Sequence, residues 1–240
     1  MEHVNVHSQQ RTPWIVGVSG ASGTPYAAAV LRALLAAGES VDLVVSRASR
    51  LTLLDETGIA FRDAHWQDDL RAWLARGADG KPDSFGACDV SDVRHWAPGD
   101  LAAGPSSGSY PVKGMLIVPA STACVAGVAL GLSKDLLQRA ASVTLKERRK
   151  LVVAVRETPL NGQTLGHLVT LDEAGAVVLP ASPAFYAGAT HIQDLVDFVA
   201  GRVLDAAGVP HGLYRRWEGE LGSGRPRRAE PGPRGGSGGD

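Results

Sequence analysis

The sequence predicts an α/β fold, a three-layer α/β/α sandwich built around a mainly parallel sheet. Apolar, β-rich runs recur at Trp14–Ser19, Val41–Ser46, Met115–Pro119, Leu151–Arg156 and Ala176–Pro180. Helical patterns alternate with them at Pro25–Ala37, Arg47–Thr57, Lys134–Glu147 and Ile192–Ala207. The runs are continuously apolar, as strands become when helices cover both faces of a parallel sheet. Alternating β and α elements joined by right-handed crossovers give the sandwich.

The first unit carries the most chemistry. Trp14-Ile15-Val16 leads into Gly17-Val18-Ser19-Gly20-Ala21-Ser22-Gly23, and the Ala/Leu-rich stretch Tyr26–Leu35 follows. Glycine allows the tight turn and lets a phosphate approach the N–H groups at the helix start. Ser22 adds a hydroxyl there, so the turn points to an anionic cofactor or substrate. It is neither G-x-G-x-x-G nor G-x-x-x-x-G-K-[ST], so neither the dinucleotide nor the ATP motif is complete.

Further along, Gly114–Leu132 is the most membrane-like run, but Pro119, Ser121 and Thr122 break it. It reads as a strand, a turn and a helix start, not a bilayer span. The helix over Lys134–Glu147 buries Leu136, Leu137, Ala140 and Val143, leaving Arg139 and Lys146 at the margins. The next strand ends on Arg156-Glu157-Thr158-Pro159-Leu160. Consecutive strand residues address opposite faces, and a guanidinium suits a phosphate fork while a carboxylate suits proton transfer. Pro183-Ala184-Phe185-Tyr186 follows the last strand, and its phenol can donate to a phosphate or cover an apolar chain. In the final helix Arg202 stands among Val199, Val203 and Leu204, a costly place for a cation without an anion nearby.

The chain has 240 residues, 44% of them hydrophobic and 20% charged, enough for one domain with a sizeable core. A net charge of −1 offers no basic surface for nucleic acid or an anionic membrane. The two cysteines, Cys88 and Cys124, suit a reducing cytoplasm rather than a disulfide framework. Residues 1–13 form a polar extension without an apolar signal core, and residues 14–219 form the domain. Within it, residues 76–104 read as a Gly-, Asp- and Pro-rich surface excursion. Residues 220–240 are Gly/Pro/Arg-rich and read as a disordered tail.

In parallel sheets the ligand site lies beyond the carboxyl ends of the strands. Here those ends are Ser19–Ser22, Ser46, Pro119–Cys124, Arg156–Glu157 and Pro180–Tyr186. Rival chemistries lack their residues: no C-x-x-C or H-E-x-x-H for a metal, and no G-x-S-x-G nucleophile elbow. Cys124 has no neighbour in sequence to activate it and reads as a small core residue.

Together, Gly17–Gly23, Ser46, Glu56-Thr57, Ser106-Ser107-Gly108-Ser109, Pro119-x-Ser121, Leu145-Lys146-Glu147, Arg156–Leu160, Pro183–Tyr186 and Arg202 resemble the flavin prenyltransferases of the UbiX type. His211-x-Leu213-x-x-Arg216-Trp217-x-Gly219 is similar to that family's C-terminal segment. The resemblance spans Trp14 to Gly219. It implies a cytoplasmic, flavodoxin- and Rossmann-like enzyme, usually a homododecamer with active sites at subunit junctions. Such enzymes transfer the dimethylallyl group of dimethylallyl phosphate to N5 and C6 of reduced FMN without a metal. The prenylated FMN serves a UbiD-type decarboxylase.

Carried over residue by residue, the resemblance implies that Gly20, Ala21, Ser22 and Ser46 hold FMN. Ser121, Thr122, Ala123, Cys124 and Arg156 complete the cradle. Ser22, Arg139, Lys146, Tyr186 and Arg202 surround the dimethylallyl phosphate, and Trp217 covers the prenyl pocket. Glu56 and Glu157 match positions implicated in proton handling, and Ser109 and Tyr110 lie by the flavin-covering segment. This chain departs from the family in having Cys124 where a threonine is usual and Ser142 where an aspartate is common. Two other readings stand beside this one. Pro119-Ala120-Ser121 also resembles the flavin-dependent cysteine decarboxylases, although their Asn and their Pro-x-Met-Asn-x-x-Met clamp are missing. The remaining alternative is an FMN-binding oligomeric scaffold whose catalysis has lapsed.

Overall fold

The computed structural model describes residues 11–83, 85, 88–217 and 219. The polar extension up to residue 10 and the tail from residue 220 lie outside the described residues. Six parallel strands form one sheet in the order β3-β2-β1-β4-β5-β6. They are β1 (Trp14–Val18), β2 (Val41–Val45), β3 (Val93–His95), β4 (Gly114–Ala120), β5 (Lys150–Val155) and β6 (Val177–Pro180). The helices are α1 (Thr24–Ala36), α2 (Arg47–Thr57), α3 (Trp66–Leu74), α4 (Thr122–Ala129), α5 (Leu136–Lys146), α6 (Gly162–Glu173) and α7 (Ile192–Ala207).

The two faces of the sheet follow directly from the period of a strand. Val16, Val18, Leu43, Val45, Leu116, Val118, Val152 and Ala154 pack with α1, α3 and α7 in one core. Their neighbours Ile15, Val44, Met115, Ile117, Leu151, Val153 and Val155 pack with α4, α5 and α6 in the other. Successive side chains alternate across a strand, so these runs are apolar almost throughout, with the buried Asp42 of β2 as an exception. That is the continuous pattern seen in the sequence. Among the described residues, no helix is long and apolar enough to cross a membrane.

The stretch expected to be only a surface excursion does more. Val90 is fully buried, and Val93–His95 pairs with β2 to make the sheet edge. The Trp96 N–H then donates to the Leu43 carbonyl at 2.9 Å, carrying the chain on to the site. Sequence reading also passed over α3 and α6. Gly162 and Gly166 lower the helix propensity of α6, and its exposed Leu165 and Val169 blur the apolar stripe.

The strand order decides where a ligand fits. From β1 the chain moves outward through β2 to β3, then crosses back and moves the other way through β4, β5 and β6. The reversal falls between β1 and β4, and crevices open at the carboxyl ends of strands at such a point.

Candidate active site

A cavity of about 430 Å³ opens at that crevice, lined among others by Ser19, Gly20, Ser46, Ser121, Ala123 and Cys124. This volume is within the range of small-molecule and cofactor sites. Local capping builds its walls. Ser46 ends β2 and caps α2, its side chain accepting the Ser49 N–H at 3.1 Å. Ser121 does the same for α4, accepting from the Cys124 N–H at 3.3 Å. Ser19 ties the two inner strand ends together: its hydroxyl donates to the Pro119 carbonyl at 2.9 Å and accepts the Ser121 N–H at 2.7 Å. At Gly20 a Cβ would lie 2.5 Å from Ala48 Cβ, so only glycine lets the loop lie this close to α2.

The cavity also has walls that the sequence did not signal. Arg47 and Lys134 add cations, Gln138 and Leu137 come from the start of α5, and Pro98 and Gly99 come from the excursion. Two signals could have revealed them. Pro-Gly is a turn pair, and Asp135 stands three residues before Gln138, the spacing of a helix N-terminal cap. Asp135 does cap α5, accepting the Gln138 N–H at 2.9 Å.

The glycine loop is held by two long side chains. Arg156 Nε donates to the Ser22 carbonyl at 2.9 Å. The Glu56 carboxylate accepts the Gly23 N–H at 2.9 Å, the Thr24 N–H at 2.8 Å and the Thr24 hydroxyl at 2.6 Å. The sequence left the α1 N–H groups open for a phosphate. In the structure the anion at the α1 start is Glu56 itself, a favourable partner for the helix dipole. This placement gives Glu56 a loop-holding contact at the start of α1. Ala21 is buried, with its N–H donating to the Ser19 carbonyl at 2.9 Å, while Ser22 is exposed. Thr122 is half-buried in the first turn of α4.

Cys124 is 5% exposed, and burial pushes its thiol up to about 12, with a smaller push from Asp135 outweighing the Ser19 hydrogen bond. It therefore stays protonated at neutral pH and is no nucleophile. Glu157 is exposed at the end of β5, where its carboxylate accepts the Thr158 N–H at 2.9 Å. Among the described residues, no group of three or more His, Cys, Asp or Glu could hold a metal ion.

The other expected substrate residues form two separate groups within one chain. On the α5 face, Arg139 Nε donates to the Ser106 carbonyl at 3.1 Å, and Lys146 pairs with Glu147. From Leu137, at the cavity, α5 rises about 13 Å to Lys146, away from the cavity. The 106–109 loop rests against this end of the helix, and a Cβ on Gly108 would meet Glu147 Oε1 at 2.1 Å. On the opposite face, Arg202 lies on α7 and lines a cavity of about 270 Å³ with Pro180, Ser182 and Phe198. Tyr186 packs edge-on against Phe198 and against Trp217, each with ring centroids 5.8 Å apart. One protomer thus brings Gly20, Ser46, Ser121, Ala123 and Cys124 to one cavity, while Ala21, Ser22, Thr122 and Arg156 are not among its lining residues and Arg139, Lys146 and Arg202 do not meet.

A family profile described as Flavoprotein matches residues 2–204. The flavin prenyltransferase UbiX of Streptomyces coelicolor is 89% identical over 214 residues, covering 89% of this chain and 99% of that protein.

The chain belongs to the UbiX flavin prenyltransferase family.

Its relative of that name from Synechocystis is 40% identical over 209 residues, covering 87% of this chain and 97% of that protein. The fold agrees with a solved structure of AnUbiX (PadA1) in complex with FMN and dimethylallyl pyrophosphate, at TM-score 0.73 and 34% identity, covering 88% of this chain and 99% of that one. A dodecameric FMN-dependent UbiX-like decarboxylase from Escherichia coli O157:H7 matches with TM-score 0.73 and 34% identity, covering 87% of this chain and all of that one.

Proposed function

We propose that this flavin prenyltransferase joins the dimethylallyl group of dimethylallyl phosphate to N5 and C6 of reduced FMN, releasing phosphate. The observation that carries the reading is the cavity at the β1/β4 reversal, in a chain 89% identical to a named flavin prenyltransferase. Its residues fit a flavin mononucleotide: a glycine that cannot bear a Cβ, serine hydroxyls at two helix starts, and the cations Arg47 and Lys134 for a phosphate. Bound reduced FMN supplies the two nucleophilic ring positions.

The chain's own side chains do the rest. Arg139, Lys146 and Arg202 neutralise the leaving phosphate, which lowers the barrier to breaking the allylic C–O bond. Tyr186 and Trp217 shelter the developing allylic cation against their ring faces. For the second bond, Glu157 would accept the proton that C6 gives up while the released phosphate delivers one to the prenyl double bond, so that step is proton-neutral. Gly20, Ala21, Ser22, Ser46, Ser121, Thr122, Ala123 and Cys124 hold the flavin, and Arg156 with Glu56 fixes the Ser22 loop for it.

Since α5 and α7 lie on opposite faces of the sheet, the three cations converge only if neighbouring protomers contribute them. The dodecameric relative supports such an assembly for this chain. The same reading hands prenylated FMN to a UbiD-type decarboxylase. It also places the protein in the cytoplasm, which its unpaired Cys88 and Cys124 suit.

The test is anaerobic incubation of the protein with reduced FMN and dimethylallyl phosphate, followed by mass spectrometry of the flavin. A mass gain of one prenyl group supports the reading. Tight FMN binding with no gain favours the lapsed scaffold, and oxidative decarboxylation of a C-terminal cysteine peptide favours the sister enzymes.

A further inference from the structure

The C-terminal segment that carries Trp217 is fastened to α7 at the Asp205 carboxylate. Asp205 lies one turn beyond Arg202. Its Oδ2 accepts from Arg202 Nη1 at 3.0 Å and from the Tyr214 hydroxyl at 2.5 Å. Its Oδ1 accepts from Arg216 Nη2 at 2.7 Å and lies 3.0 Å from His211 Nε2. Both oxygens are thus doubly used. Burial alone would raise the Asp205 carboxyl, but hydrogen bonds from Tyr214, Arg216 and His211 override it and hold the group ionised.

Close packing makes the segment's position specific. A Cβ at Gly201 would lie 2.6 Å from the Tyr214 ring and 2.7 Å from His211 Cε1, so the returning segment sits directly on the α7 backbone. From there an aromatic row runs outward. Tyr214 stacks obliquely on Phe198 at 4.8 Å, Phe198 meets Tyr186 edge-on, and Tyr186 meets Trp217. One end of the row is tied to Asp205 through the Tyr214 hydroxyl, and the other end is Trp217. Arg202 would otherwise be a half-free side chain, 53% exposed, able to sample many rotamers.

We propose that Asp205 is a positioning residue for the allylic-phosphate subsite, fixing the Arg202 guanidinium and the Tyr186–Trp217 wall relative to one another. This rests on the reading that Arg202 grips the phosphate and Trp217 covers the prenyl group. Asp205 touches neither substrate nor flavin. It acts through Arg202 on one side and through Tyr214 on the other. A guanidinium bound on one edge by a carboxylate keeps its remaining N–H groups for the phosphate.

The experiment uses the FMN-loaded full chain and compares wild type with Asp205→Asn, Asp205→Glu and Tyr214→Phe. Asn keeps the shape and one acceptor oxygen but removes the charge. FMN affinity should stay within about twofold in every variant, because neither Asp205 nor Tyr214 lines the flavin cavity. For Asp205→Asn, KM for dimethylallyl phosphate should rise about tenfold with a smaller fall in kcat, the pattern of lost ground-state grip. Tyr214→Phe should move KM in the same direction by less, and Asp205→Glu should recover part of the loss. An Asp205→Asn protein that binds FMN and shows wild-type KM overturns the inference. So does a variant that loses kcat and FMN affinity in step with the rise in KM, since that is the mark of a purely structural role. If wild type itself forms no prenylated flavin, the proposed function fails first and takes this inference with it.

Discussion

The Tyr110 hydroxyl donates to the Asp42 carboxylate at 2.8 Å, deep in the sheet. Asp42 is fully buried in the middle of β2, where its neighbours along the strand are valine and leucine. Its second partner is Arg11, whose guanidinium also donates to the Val41 and Asp92 carbonyls at 2.8 and 3.0 Å. Tyr110 anchors the end of the 106–110 loop, and Arg149 ties the same loop through the Tyr110 and Gly108 carbonyls at 2.9 and 2.8 Å. A buried charge is tolerated only when paired and hydrogen-bonded, so these contacts stand or fall together. Tyr110→Phe should lower unfolding stability by about 1–2 kcal/mol, and Asp42→Ala by about 3 kcal/mol because Arg11 then loses its carboxylate and the Tyr110 hydroxyl its acceptor. Urea denaturation measures both. A neutral Tyr110→Phe would show that the hydroxyl is not carrying the anchor.

The two candidate acids should separate cleanly. Glu56 holds three donors at the start of α1, whereas among the described residues Glu157 accepts the Thr158 N–H alone. Glu56→Ala removes a helix cap and should lower stability by about 1–2 kcal/mol. Glu157→Gln should leave stability and FMN binding unchanged and slow prenyl transfer by about 100-fold, the usual scale for a general acid–base group. Thermal melts and single-turnover mass spectrometry read the two effects. Unaltered turnover of Glu157→Gln removes that residue from the chemistry.

Cys124 sets a pH dependence with a definite sign. Its thiol rises from an ordinary 9.0 to about 12 in the folded protein. Above pH 9 the unfolded chain sheds this proton while the folded chain keeps it. Unfolding therefore becomes easier as pH rises from 9 to 12, and the contribution is complete below 9. At pH 10.5 the loss should be about 2 kcal/mol. Cys124→Ala should lack this slope, so the difference between the two urea curves at pH 8 and pH 10.5 isolates the thiol. Equal pH slopes for the two proteins would contradict the assignment.

Assembly across protomers can be tested by complementation. Lys146→Ala and Glu157→Gln chains should each be nearly inactive alone. Co-expressed, they should form mixed oligomers in which some junctions receive an intact Lys146 from one chain and an intact Glu157 from the other. Activity of the mixture well above either parent supports a shared site. Activity no higher than the better parent would place both residues in the same chain's site.

Much of the architecture was legible in the sequence because burial on both faces of a parallel sheet demands uninterrupted apolar runs. The strands at Trp14, Val41, Met115, Leu151 and Ala176 were found within a residue or two, as were α1, α2, α5 and α7. The β3 strand was not legible. It has three residues, and only Val93 is buried, so the local pattern carries almost no signal. The cavity lining was legible for Gly20, Ser46, Ser121, Ala123 and Cys124 because strand ends and helix caps are local features. Arg47, Lys134 and Pro98 were not, since a surface cation or a turn proline looks the same in sequence whether or not a cavity lies beside it.

The sequence by itself determined the layering, the crevice-forming ends of the strands and the family, since each is written in local polarity or in residues close together along the chain. Only the tertiary structure decided that Glu56 fills the start of α1, that Asp205 gathers Arg202 with the C-terminal segment, and that Arg139 and Lys146 stand on the far side of the sheet from Arg202. The first joins residues 33 positions apart and the last spans the sheet, while the Asp205 cluster depends on how the chain turns back after α7. Chain distance does not encode such meetings; packing does.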